Sequence, residues 1–402
     1  MIKKYSFNSE KLKQLKTISQ IMIREWKRIF SIPNFYVVLL VIPPIIFLFY
    51  GFIYQKQFAK ELPMAVWDED QSSVSRTLTD MMEHNEFIQF TQTVYSNAEI
   101  EKLMQEGKIF GAVHFPKNLE SDAKKNHQSN ITLYTNGAYL VPAKMIYKGA
   151  AEVIIKGGLA VVLQKAEKQG MPAEKANTLV QPIKLNTTTL YNPDFNYQMY
   201  LTPGLITVGL QMALIVAAVL ILNLEFKRNT IDELLQISTS SSQIVIGKML
   251  AHLCISWILF VLVAYVVFPV YELGKPQTDF NFFLIYTLMS LACIGIGIML
   301  SAISNNLLFV TDVALFFTSP AFVFSGFTFP RWAMPWYDQF YADIMPYTHF
   351  LDGFIKLYFM ELPLSYATPE IVKLLVFIGV TFPLSILLFQ KKINQYLKEN
   401  RA

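Results

Sequence analysis

Residues 225–250 read EFKRNTIDELLQISTSSSQIVIGKML, a polar stretch between two of the most apolar runs in the chain. Before it lies LTPGLITVGLQMALIVAAVLILNL (201–224), and GKMLAHLCISWILFVLVAYVVFPV (247–270) overlaps its end. Each run is long enough to cross a hydrocarbon core ~30 Å thick at ~1.5 Å per residue. Four more runs of that kind occupy 34–54, 281–303, 307–328 and 371–389, so six spans are expected. Within the polar stretch, Thr230 and Glu233 have capping-box spacing, and Asp232 and Glu233 suit a helix N-terminus. Ile231, Leu234 and Leu235 form a short apolar face. A helix this short is not stable alone. It either lies on the bilayer as a connector or packs against protein.

The composition agrees with a membrane chain. Of 402 residues, 16% are charged, against roughly 25% in soluble domains. Mean hydropathy is +0.35. These values exclude an ordinary soluble enzyme and a disordered chain. The net charge of +4 is too small, and too concentrated at the chain ends, for nucleic-acid binding. Cys254 and Cys293 are the only cysteines, which excludes a disulfide framework and a cysteine-based metal site.

The charge deficit is local. Residues 196–390 carry 18 charges, whereas 57–195 carry 30 in a shorter stretch, close to a soluble domain. With six spans both termini lie on one side, together with loops 225–246 and 304–306. The short flanks of that side hold 14 basic residues against 5 opposite, which predicts cytoplasmic termini and an exterior 57–195. Strand and helix signals alternate as β-α-β-α-β-β-α-β through 57–195, from LPMAVWDED (62–70) to a closing strand at LNTTTLYN (185–192). The fold class is therefore an α-helical membrane protein of six transmembrane helices with an inserted extracytoplasmic α/β domain. Asp68-Glu69-Asp70 is expected to be a solvated turn, and His84, His114 and His127 lack ligand spacing, so no metal site is expected.

The division that follows has a cytoplasmic amphipathic surface helix in 1–33, the first span in 34–56, the exterior domain in 57–195, spans two to six in 196–390 and a basic cytoplasmic tail in 391–402. In the surface helix, Leu12, Leu15, Ile18, Met22, Trp26 and Ile29 form an apolar face, and Lys11, Lys13, Lys16, Arg24, Lys27 and Arg28 are free to meet headgroups. Packing of this helix on another subunit is the alternative. The segment 329–366 holds four prolines and seven Trp or Tyr residues. It is too broken to span and too aromatic for a free loop, so it reads as re-entrant or interfacial helices, with an ordinary outer loop as the alternative.

Three stretches carry a family resemblance. Glu225, Arg228, Thr230, Leu234, Leu235, Ile246, Gly247 and Lys248 fall at matching places of the coupling helix of type-2 ABC exporter permeases. Asn229 stands where that family often has Gly, and Thr239 near its usual Pro. FSGFTFPRWAMPWYDQFYADIMPYTHFLDGFIKLYF (324–359) resembles the family's outer segment, on Ser325, Gly326, Pro330, Met334, Pro335, Pro346 and Phe350. YNPDFNYQMYLTPGLI (191–206) resembles the approach to its second span.

The resemblance implies a coupling helix at 225–242, with Glu225, Arg228, Thr230, Asp232, Glu233, Leu234 and Leu235 meeting a cytoplasmic ATPase. It implies an outer re-entrant segment built on Gly326, Pro330, Trp332, Pro335, Trp336 and Pro346. It implies two ATPase chains and a second permease chain, identical or homologous, in a bacterial cytoplasmic (inner) membrane; a periplasmic adaptor is a further possible partner. Thr207, Gln211, Asp312, Thr318 and Ser319 become conduit candidates, with interhelical hydrogen bonding as the plainer role. None of Gly107-Lys108, Gly247-Lys248 and Gly274-Lys275 is followed by Ser or Thr, so there is no P-loop. No cofactor is expected in this chain; ATP and Mg would be bound by the partner subunit. Lys248 and His252 are expected to snorkel or cap.

The function expected is the permease subunit of an ATP-driven exporter for an amphipathic or lipid-like or drug-like solute. The alternative is a membrane sensor or anchor whose exterior domain binds a ligand and whose loop recruits a partner. A membrane-embedded transferase is weakened by the lack of clustered carboxylates or histidines.

Overall fold

Among the described residues, length and apolarity qualify six helices to cross a membrane: Pro33–Ile53, Tyr197–Lys227, Ser241–Val270, Phe280–Ile303, Leu307–Phe324 and Leu364–Glu399. They belong to a computed structural model that describes residues 2–55, 60–125, 127–180, 188–192, 196–273 and 279–399. The chain divides into two units, Met1–Gln57 with Thr189–Ala402, and Phe58–Thr188.

The fourth span is the hub of the first unit and packs on the second, third and sixth. Its contact face is built for close approach. Cys293, Gly297 and Ser301 recur every four residues, and Cys293 and Ser301 are fully buried. A Cβ on Gly297 would lie 2.4 Å from Ala218 Cβ and 2.6 Å from the Ile215 carbonyl oxygen. One turn on, Ser301 Oγ accepts from the backbone N–H of Asn223 at 3.0 Å and from its side-chain amide at 2.9 Å. Small residues and shared hydrogen bonds replace the hydrophobic drive that lipid does not supply.

Two spans contain π-helical turns directly before prolines. Val37–Val41 precedes Pro43 and Pro44, and Val263–Val267 precedes Pro269. A proline ring collides with the carbonyl four residues earlier, and widening that turn relieves the collision without breaking the helix. The fifth span does break. Its helix Leu307–Thr318 stops before Pro320, and Ala321–Phe324 restarts it. The last helix continues to Glu399, so the basic residues expected in a tail at 391–402 are helical as far as the described residues reach. Lys392 is not a free tail charge. Its Nζ donates to the Ser301 carbonyl at 3.1 Å and sits 4.8 Å over the Phe226 ring.

The segment 329–366 is a chain of short helices, several of them begun by proline. Pro330, Pro335 and Pro363 precede Arg331–Ala333, Trp336–Asp343 and Leu364–Ala367, and Pro346 opens Pro346–Phe354. The last of these is buried against the second, fourth and sixth spans. Trp332 and Trp336, by contrast, are 84% and 78% exposed. Gly326 has φ of +93° with the Arg331 side chain against it, a geometry that favours glycine.

The second unit holds a four-stranded mixed sheet in the order β2-β1-β3-β4. β1 (Leu62–Asp68) pairs in parallel with β2 (Ile88–Thr93) and with β3 (Gly111–Phe115), and β4 (Thr132–Thr135) is antiparallel to β3. Helix Leu140–Lys168 contributes Ile146, Ala150 and Val153 to the core over one face. Asp68 organises the turn expected at 68–70. It accepts from the N–H groups of Asp70 and Gln71 and from Ser75 Oγ, while Ser72 caps the helix Ser73–Glu83. Two helices, Leu119–Lys125 and Ala173–Val180, were not foreseen. The closing strand expected at 185–192 does not form over 188–192, and its first three residues lie outside the described residues.

Gly297→Ala places a methyl against backbone and is expected to destabilise by about 1–3 kcal/mol. Gly379→Ala, with nothing within 4 Å, is expected to be neutral or slightly stabilising. Thermal unfolding of the two purified variants in detergent tests the difference.

Candidate functional site

Glu225 ends the second span, and Lys248 and His252 lie in the first turns of the third. Between them the loop helix Ile231–Ile237 hangs from Thr230. The N-terminal helix Ile2–Ser31 runs against the third span and presents Arg24, Glu25 and Arg28 to this corner. Gly247 permits that approach, since a Cβ there would stand 2.8 Å from Ile21 Cγ2 and 3.0 Å from the Ile18 carbonyl.

These side chains form one buried ion cluster. Glu225 Oε1 accepts from Arg24 Nη1 and from Lys248 Nζ, each at 2.6 Å, and also from Arg28 Nη1. Its Oε2 accepts from Arg24 Nη2 at 3.1 Å and from Thr230 Oγ1. Glu25 Oε2 accepts from Arg28 at 2.9 Å and from Lys248, and His252 Nε2 lies 3.4 Å from Glu25 Oε1. Arg24 then reaches the loop, donating to the Thr230 carbonyl at 3.0 Å and to Glu233 at 3.2 Å. Glu25, Glu225 and Lys248 have no solvent exposure. Two buried carboxylates thus face three cations, and Glu233 at the rim balances the third. Burial pushes the Glu25 carboxyl up, but Lys248 and Arg28 outweigh it and hold it well below the usual carboxylate range.

Several sequence expectations change here. Arg24 and Arg28 do not face headgroups; a buried carboxylate draws both inward. Lys248 does not snorkel, because it is sealed between Glu25 and Glu225. Thr230 makes no capping bond to the loop helix, since its hydroxyl is used on Glu225. Glu225 is a buried anchor rather than an outward contact. Ile231 and Leu234 are buried in this chain's own core and Leu235 is half-buried, so the apolar face is already occupied. Arg228, Asp232, Glu233 and Gln236 are exposed, as are Lys227, Asn229 and Thr239, and Asp232 accepts from Tyr396 Oη at 3.1 Å. Asn229 has φ of +54°, a left-handed conformation that Asn tolerates as Gly does, so the turn survives the departure from Gly.

The conduit candidates are not gathered into one lining. Thr207 and Thr318 are buried and bond to carbonyls of their own helices. Gln211 is buried, and its Oε1 accepts from the Tyr347 N–H at 2.9 Å, satisfying a free donor at the start of Pro346–Phe354. Asp312 and Ser319 are exposed on the fifth span, on a face shared with Leu308 and Phe316. Among the described residues no group of His, Cys, Asp or Glu could hold a metal ion. The cluster therefore offers mechanical linkage: four elements are tied through two carboxylates.

The sequence profile of the family described as ABC-2 family transporter protein matches residues 33–387. The chain belongs to the ABC-2 transporter family. The ABC-2 match takes in Glu225 and Lys248 but begins after Arg24, Glu25 and Arg28, so half of the ion cluster lies outside it. The chain is similar to the probable multidrug ABC transporter permease YbhS of Escherichia coli (strain K12), 24% identical over 85% of this chain and 88% of the relative. It is similar also to the probable multidrug ABC transporter permease YbhR of the same organism, 22% identical over 82% and 86%. ABC transporter G family member 20 of Dictyostelium discoideum is 24% identical over 63% of this chain and 34% of its own length. An ABC-2 chain with six such helices is an integral multi-pass membrane protein and a transport component. That favours the permease reading over the sensor and the transferase.

Sequence spacing held a signal for the missed half of the site. Glu25 and Arg28 share a helical face with the buried Ile21, Ile29 and Ile32, which is where a buried ion pair rather than a headgroup contact belongs. Lys248→Met leaves two carboxylates under-paired and is expected to cost about 3–5 kcal/mol, with Glu25→Gln in the same chain recovering part of it; a double-mutant cycle by thermal unfolding measures the coupling. The depressed Glu25 group contributes stability that is fully present above its ordinary value of 4.5 and lost as pH falls through its folded value. Its contribution to the unfolding midpoint is therefore expected to be flat from pH 8 to about 5.5, as the difference between wild type and Glu25→Gln across that range will show.

Proposed function

We propose that this chain is the permease subunit of an ATP-driven exporter and moves an amphipathic, drug-like or lipid-like solute out of the cytoplasm or the inner leaflet. ATP and Mg are bound and hydrolysed in a separate cytoplasmic subunit, two copies of which serve a pair of permease chains. The printed names of the two bacterial relatives, both probable multidrug permeases, support the class of solute. The basic surplus on the short flanks supports cytoplasmic termini in a bacterial inner membrane and an exterior position for 57–195.

The observation that carries the reading is the wiring of the loop helix. Thr230 at its base is held by Glu225 and Arg24, and Glu225 is held by Lys248. A force on the loop therefore reaches the second span, the third span and the N-terminal helix together. Pulling any one away would leave a buried charge without its partner, which is strongly unfavourable. The ATPase meets the exposed residues Arg228, Asp232, Glu233 and Gln236; Ile231 and Leu234 hold the loop from behind.

Purification of the full chain with its ATPase tests this. Asp232→Arg with Gln236→Arg is expected to lower ATPase recovery and solute-stimulated hydrolysis at least tenfold while the unfolding midpoint stays within a degree or two. Leu234→Asp is expected to lower the midpoint as well, because it puts a charge in the core. Undiminished ATPase recovery and stimulation in the double charge variant would show that the loop is not the docking site.

A further inference from the structure

A groove of about 650 Å³ runs along the first unit between the fourth, fifth and sixth spans, in the size range of ligand sites. Leu300, Phe317, Val376 and Val380 are among its walls, which are apolar for most of their length. Val376 and Val380 are each more than half exposed, so the groove opens on the face a bilayer would cover. Its ionisable residues, Asp343, His349 and Lys373, are gathered at one end, and Thr381, farther along, spends its hydroxyl on the Phe377 carbonyl. That end lies away from the ion cluster. Tyr347, two residues from His349, bonds to Gly204 near the start of the second span, whereas Glu225 is close to that span's other end. The separation along the helix is roughly 30 Å at 1.5 Å per residue.

The polar end holds charges of both signs that do not satisfy one another. Arg331 Nη1 is 3.6 Å from Asp343 Oδ1 and 3.6 Å from Asp352 Oδ2, and Lys373 Nζ is 3.9 Å from Asp343 Oδ1, all beyond hydrogen-bond length. His349 is 2% exposed. Its Nε2 lies 2.8 Å from the Asp343 carbonyl oxygen, which only accepts, so Nε2 carries the proton and Nδ1 is left as an acceptor. That Nδ1 is buried with no partner. Burial lowers the pKa of His349 and favours this neutral form.

We propose that the groove holds one acyl chain of a membrane phospholipid whose headgroup carries both a phosphate and a primary ammonium. The phosphate meets Lys373 and Arg331, and the ammonium donates to Asp343 and to His349 Nδ1. A purely anionic headgroup would leave Asp343 repelled and Nδ1 empty. A quaternary ammonium has no N–H to donate to either acceptor. A polar solute would gain nothing from the apolar walls. The proposal goes beyond export and does not depend on which solute is carried.

The test uses the full chain reconstituted in bilayers of phosphatidylcholine, with a trace of phosphatidylethanolamine carrying a photoreactive group at mid-chain. After irradiation, adducts are expected in peptides 296–300, 313–317 and 373–381 at no less than five times the yield around Leu387, which is exposed on the same helix. Additional unlabelled phosphatidylethanolamine should cut that yield at least fivefold, and equal amounts of phosphatidylglycerol or phosphatidylcholine should cut it less than twofold. Val380→Trp, which fills the groove, should abolish the excess, and Asp343→Asn should remove the preference among the three headgroups. Adducts spread evenly to Leu387, or equal competition by all three lipids, would overturn the proposal. So would crosslinks from 313–317 to a second copy of the chain in place of lipid. If the Trp variant does not fold, the wild-type competition still decides. Recovery of the ATPase with the wild-type chain is read separately, so a failure here leaves the export reading where it stood.

Discussion

Glu225 is the residue on which this corner of the helix bundle depends. A lone carboxylate in an apolar bundle would be too costly to keep ionised. Here Arg24, Arg28 and Lys248 meet it from two other helices, and Thr230 meets it from the loop. Buried ion clusters of this kind are poor evidence for stability, since an apolar replacement of the whole set can do as well. What they impose is a penalty on separation. Each element can shift only if the others shift with it, or if a charge is left bare. A subunit that must convert force at its surface into movement of its helices has use for that property.

The second consequence is steric. Gly247 and Lys248 are neighbours in sequence and partners in one task. The glycine lets the N-terminal helix lie against the third span, and the lysine bonds to that helix and to the second span. The dipeptide resembles the end of a nucleotide-binding loop but serves close packing and charge balance. The same logic recurs deeper in the bundle, where Gly297 admits the second span and Ser301 bonds to it. Glycine sets the distance in both places, and a polar side chain one or four residues later fixes the register.

Much of this architecture was legible in the sequence because its signals are long. Six apolar runs, two- and three-state alternation through 62–168, and a polar loop flanked by spans all depend on many residues at once. What failed depended on single side chains. Thr230 and Glu233 had the right spacing for a capping box, yet the hydroxyl found a stronger acceptor in Glu225, five residues back in sequence. Leu234 read as a free apolar face because the N-terminal helix that covers the loop lies some 200 positions away. Arg24 and Arg28 read as headgroup contacts because periodicity shows a face but not what lies opposite. Asp312 and Gln211 looked alike as polar residues in spans; one is exposed and the other is buried and bonded, and only packing separates them.

The two ends of the second span solve the problem of polar atoms in an apolar bundle differently, and the difference bears on movement. At the Glu225 end the bonds are ionic and link four elements, so they resist being drawn apart. At the other end Pro203 sits inside the unbroken helix, Gln211 caps the start of Pro346–Phe354, and Tyr347 bonds to the Gly204 carbonyl. These are neutral hydrogen bonds beside a proline, each worth about a third to a half of a charged one. The helix backbone there has already lost one donor. On the proposed reading, a displacement entering at the ionic end meets more resistance there than at the neutral end, where a proline has removed one backbone bond. The proline-started helices of 329–366 thus meet the second span through neutral bonds, whereas the ion cluster holds that span's other end through charged ones.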